Sequence, residues 1–146
     1  MKQIATDKQM EISISSDSDV ITARQRGHAL AQRIGFDGVD LTLISTLISE
    51  MARTFVRRAL PGKISAAATE EAGNVGIAVV ASVCMKKNTS GTELHHLPPL
   101  MEPELLSRAV STIDGINILS KPHETTLTML KRGNGNRAPD SLMMGP

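Results

Sequence analysis

Aromatic side chains are nearly absent: there is no Trp and no Tyr, and the only Phe residues are Phe36 and Phe55. The core must therefore be aliphatic, built from Ile, Leu, Val, Ala and Met. Rings on which bases could stack are also scarce, which argues against a single-stranded nucleic-acid binder. Cys84 is the only cysteine, so the chain can form neither an internal disulfide nor a cysteine-based zinc cage, and a reducing, cytoplasmic setting is expected. Long apolar runs are lacking as well. The longest, Val75 to Met85, is about half of what a helix needs to cross a bilayer. The polar start MKQIATDKQ has no apolar segment of the secretory kind, so we expect a soluble, intracellular protein without membrane association. Charge of one sign is not in excess either. Sixteen Lys and Arg oppose fifteen Asp and Glu, and they are interspersed, which disfavours a dedicated polyanion binder.

What is present suffices for one domain: 146 residues, 40% of them hydrophobic, provide the apolar mass for a single core. The clearest pattern is Leu41 to Leu60, LTLISTLISEMARTFVRRAL. Leu41, Ile44, Leu47, Ile48, Met51 and Phe55 follow helical spacing and predict a central amphipathic helix with that side against a sheet. Glu50, Thr54 and Arg57 stack on a neighbouring stripe, where a helix presents polar groups to a pocket or partner.

In chain order, residues 1 to 9 read as a flexible lead. Met10, Ile12 and Ile14 alternate with polar residues and predict a half-buried edge strand. Ser16 to Asp19 supplies caps for a helix whose face runs through Val20, Ala23, Gly27, Leu30, Ala31 and Ile34 and which stops at Gly35. Gly27 costs about 1 kcal/mol against Ala in mid-helix, so either another backbone passes close by or the helix carries the penalty. Asp40 is the expected cap of the central helix, which should end near Pro61 and Gly62. Lys63 to Glu70 and Val75 to Val83 predict a hairpin turning through Glu71 to Asn74, with the second strand central in the sheet. Lys86 to Pro99 reads as a long lid-like connection, and Glu102 to Asp114 as a third helix. Ile116 to Lys121 and Thr125 to Lys131 predict a final hairpin. The Gly-, Pro- and Asn-rich tail from residue 132 is expected to be disordered. This order predicts an α/β fold, a two-layer sandwich with helices on one face of a mixed sheet.

The stretches SDSDVITARQRGHALAQRIGF and VDLTLISTLISEMARTFVRRA resemble the bacterial anti-sigma regulatory factor family, most closely its stressosome serine/threonine switch kinases. The resemblance covers residues 10 to 131 and is strongest from Asp17 to Ala59. It implies the histidine-kinase-like (GHKL) ATPase fold, with a mostly antiparallel sheet and three helices on one face. It also implies partners: a STAS-domain antagonist, the regulatory region of a PP2C-type phosphatase, or both.

Active members of that family carry on the central helix a general-base Glu and, four residues later, a magnesium-holding Asn. Glu50 occupies the first position and Thr54 the second. A Thr hydroxyl lacks the reach and carbonyl oxygen of Asn. Active members also follow the central strand with an Asp-x-Gly-x-Gly box that binds adenine. Here it reads Val83, Cys84, Met85, Lys86, Lys87. Replacing that Asp with Val removes a charged hydrogen bond, about 1.5–3 kcal/mol or about one to two decades of affinity. Met85 and Lys87 fill space that the glycines leave open, and HHLPPLMEPELL offers no Gly for the second, phosphate-wrapping box.

The expectation is thus a pseudokinase, a partner-switching module without ordinary ATP binding and with no cofactor. The alternative is an active serine/threonine kinase that uses Mg-ATP on a STAS partner. Glu50 serves either that pocket or an ordinary helix ion pair with Arg53 or Arg57. Arg24, Arg53, Arg57 and Arg58 are the candidate partner contacts. His95 and His96 diverge and have no acidic or Cys neighbours, so they read as lid residues rather than metal ligands. Lys86 and Lys87 read as solvated charges, and Cys84 as a strand-end thiol.

Overall fold

The computed structural model describes residues 2–3, 8–84, 107, 113–121 and 124–133. Their elements are β1 (Lys2–Gln3), β2 (Gln9–Ile14), α1 (Asp17–Ile34), α2 (Gly38–Arg57), β3 (Gly62–Glu71), β4 (Asn74–Cys84), β5 (Gly115–Lys121) and β6 (Glu124–Arg132). The strands form one sheet in the order β1-β3-β4-β6-β5, with β2 also paired to β3. The sequence predicts a mixed sheet, whereas every described pairing is antiparallel. The reason lies between β2 and β3. A single crossover helix would return the chain parallel, but here two helices in succession reverse it twice, and β3 runs back against β2.

The first strand begins earlier than expected. Lys2 and Gln3, read from sequence as part of a flexible lead, pair with Glu70 and Thr69. Met10 and Ile14 are buried and Ile12 packs against the same core, as their alternation predicts. Val20, Ala23, Gly27, Leu30 and Ala31 form the buried face of α1.

At the start of α1 the Asp19 carboxylate accepts the backbone N–H groups of Ser15 (2.9 Å) and Ser16 (3.1 Å) and the Ser15 hydroxyl (3.2 Å). These bonds, led by the Ser15 N–H, hold the Asp19 carboxyl below the usual carboxylate range. A depressed folded-state pKa stabilises above the unfolded value, and the benefit is lost as pH falls through the folded one. Asp19→Asn should therefore flatten the loss of melting temperature on acidification below about pH 4. Equal acid slopes for the two proteins would show that the cap contributes nothing.

What passes close to Gly27 is a side chain of α2. A Cβ there would lie 2.4 Å from Ile48 Cδ1, and Ile48 is fully buried. The missing side chain lets the two helices approach, so the helix penalty is offset by packing.

The central helix lies about three residues earlier than the sequence suggests. Its N-cap is Asp37, not Asp40, and it ends at Arg57. Gly35, at φ +125°, ends α1. The Phe36 N–H returns to the Ala31 carbonyl at 3.0 Å, and with Phe36 buried the chain turns at once into α2. Asp40, in the first turn, instead faces Lys131 at 3.7 Å. At the other end Ala59 takes φ +53° and the Leu60 N–H bonds the Phe55 carbonyl at 2.9 Å. This turn brings Gly62 under the Phe55 ring, where a Cβ would meet ring carbons at 2.3–2.5 Å.

The β3–β4 hairpin turns through Ala72 and Gly73, both at positive φ, the mirrored two-residue turn that matches strand twist. β4 is central, between β3 and β6. The core lies between the helices and one sheet face, from Ile64, Ala66, Ile77, Val79, Ala81, Leu127 and Met129 to the apolar faces of α1 and α2. Among the residues of the expected third helix only Ser107, helical and exposed, and Ile113 and Asp114, in a bend before β5, are described. The rest of that helix, the lid and the tail beyond Gly133 lie outside the described residues.

Candidate functional site

All six residues of the apolar stripe on α2 are buried. Phe55, pressed on Gly62, sets the last turns of this helix over one end of the sheet. There Val83 of β4 stands between Gly62 of β3 and Thr125 of β6. Antiparallel partners point to the same side of a sheet, so this row faces the helices.

The polar stripe on α2 is bound up within the helix. Glu50 is 30% exposed at its side chain and ion-pairs with Arg53, the simpler of the two arrangements open to it. Thr54 is 1% exposed. Its hydroxyl donates to the Glu50 carbonyl at 2.9 Å, the usual way a helix absorbs a buried Thr. Its oxygen is approached by Arg57 Nη2 at 3.5 Å. A hydroxyl that has donated its proton to its own helix and sits beside a guanidinium is a poor magnesium ligand, because the nearby positive charge opposes the cation. Among the described residues no group of three or more His, Cys, Asp or Glu is placed to hold a metal ion. These residues, as arranged, do not fit a magnesium site.

Val83 is fully buried, an isopropyl group in the core. Met85 and Lys87 lie outside the described residues, as do His95, His96 and Lys86. Sequence reasoning gave no residue of β6 a site role. Thr125, buried, is the cross-strand partner of Val83 on β6. The alternation of Thr125, Leu127 and Met129 buried with Thr126, Thr128 and Leu130 half-buried was readable as a period of two.

The candidate partner-facing arginines are distributed over both helices. Arg24, exposed on α1, lines a groove of about 290 Å³ with Gln25, His28 and Ser45. The Ser45 hydroxyl donates within its own helix, with the carbonyls of Leu41 and Thr42 both at 3.1 Å. Arg53, Arg57 and Arg58 are exposed on the last turns of α2 and at its C-cap. No helix among the described residues is long and apolar enough to cross a membrane.

No family model matches the chain. Among curated proteins it is similar to the serine/threonine-protein kinase RsbT of Bacillus subtilis (strain 168), with 34% identity over 70 residues. The match takes in 48% of this chain and 53% of RsbT, so the chain spans about half the length of the curated relative it matches. At that coverage the likeness supports a relationship to this kinase over the matched stretch and no more.

Proposed function

We propose that the protein is a partner-switching module of the switch-kinase type that binds other regulatory proteins and has lost ordinary Mg-ATP binding. The observation that carries this reading is Val83. The position that in active members receives the adenine amino group is filled by a fully buried aliphatic side chain. Thr54, turned onto its own helix beside Arg57, supports it from the metal side. In this reading the GHKL fold survives as a scaffold. The partner is a STAS-domain protein or the regulatory region of a PP2C-type phosphatase, and α1 with the end of α2 forms the contact.

The competing reading, an active serine/threonine kinase, draws on the likeness to RsbT and on Glu50 at the general-base position. It needs a carboxylate released from Arg53 and a metal held by Thr54 through water.

Binding to a STAS partner, measured by calorimetry, separates the two. Glu50→Ala should leave the affinity within about fivefold, because an exposed ion pair contributes less than about 1 kcal/mol. Arg24→Glu should weaken it by about tenfold or more, as reversal of an interface charge does. Partner phosphorylation that disappears in Glu50→Ala would favour the kinase.

A further inference from the structure

The sheet has two edges, and only one is defended. On the β2 side the strand is interrupted. Between Gln3 and Gln9 the chain advances six residues while its partner on β3 moves only from Thr69 to Ala67. That edge also carries the Glu11–Lys63 ion pair at 3.0 Å. Interruption and charge are the usual devices against strand addition.

The β5 edge is not interrupted, and residues 115–120 carry no charge. It pairs with β6 without a break from Gly115↔Leu130 to Lys121↔Glu124, and no described residue pairs with its other side. Ile118 and Leu119 are 53% and 50% exposed. As neighbours in a strand they point to opposite faces, so apolar surface flanks the open backbone on both sides.

We propose that β5 is a self-association edge, on which a second copy of this chain pairs antiparallel about a two-fold axis at Ile118. In that register residues 115 to 121 pair with the same residues of the second copy over the whole strand. Ile118 meets Ile118 of the second copy, Asn117 lies opposite Leu119, and Ile116 lies opposite Ser120. Asp114 precedes the strand and Lys121 ends it, so antiparallel pairing sets each acidic end beside a basic end. The Asp114 carboxylate already accepts the Arg132 backbone N–H at 2.6 Å, which fixes it at that corner. A one-residue slip would set side chains of opposite faces against one another. The contact is small beside the roughly 800 Å² per partner of a standard interface, so the dimer is weak and forms at high protein concentration. This inference is independent of the reading of the nucleotide positions.

Sedimentation equilibrium of the full chain, from about 10 μM to about 1 mM to suit a contact of this size, reads the association directly. A monomer–dimer equilibrium is expected, and Ile118→Lys and Leu119→Lys should each weaken it at least tenfold with circular dichroism and melting temperature unchanged. Hydrogen exchange of the wild type at the two ends of this range serves as a readout that needs no variant. Amides of residues 115–121 should slow with concentration while those of β2 stay constant. A monomer throughout, a dimer indifferent to both lysines, or concentration-dependent protection outside β5 would each overturn the proposal.

Discussion

Phe55→Ala is expected to lower the unfolding free energy by about 3–5 kcal/mol, a large part of the whole stability of a domain this size. The ring is 1% exposed and rests on bare backbone, since Gly62 has no side chain to fill the space left behind. The α2–β3 turn, held by the Leu60 N–H on the Phe55 carbonyl, also resists collapse. Urea unfolding monitored by circular dichroism measures the loss. A change below about 1 kcal/mol would mean that the site closes over the cavity and that Phe55 is not the anchor of α2 on the sheet.

Val83→Asp is the second large effect, and it bears on function. In a nucleotide pocket a carboxylate at this position faces ligand and water. Here the side chain is fully buried between Gly62 and Thr125. Gly62 offers no side-chain partner and Thr125 a single hydroxyl, so a charge placed there is left largely uncompensated. The expected cost is about 3 kcal/mol or more, read as a drop in melting temperature that Mg-ATP does not reverse. A variant as stable as the wild type would place position 83 in a hydrated cavity and argue for a surviving pocket.

The helical face of α2, the alternation in β2 and β6 and the Gly73 turn were all legible in the sequence, because each is a local period or a backbone requirement. The start of α2 was not. Asp37 and Asp40 are both good caps, and the choice was made by Phe36, whose burial forces the turn after Gly35, and by Lys131, which draws Asp40 into an ion pair. Gly62 read as the end of a helix, and only the fold shows it as the floor beneath Phe55. The antiparallel sheet follows from counting the two helices between β2 and β3, both of which the sequence predicts. At the candidate site the spacing of Glu50, Thr54 and Arg57 placed them on one stripe. Spacing offers Glu50 an ion pair with Arg53 or Arg57 without choosing between them, and it does not reveal that the Thr54 hydroxyl bonds its own helix. Thr125 went unnoticed because its neighbour Val83 is distant in sequence and joins it only through the β4–β6 register.

The most direct measurement is the melting temperature of the wild-type protein titrated with Mg-ATP into the millimolar range. A nucleotide bound at micromolar affinity would then be present at about a thousand times its dissociation constant and would stabilise the fold by about 4 kcal/mol. The account predicts no shift. A clear, saturable rise would contradict it and return Glu50 to the role of a working catalytic base.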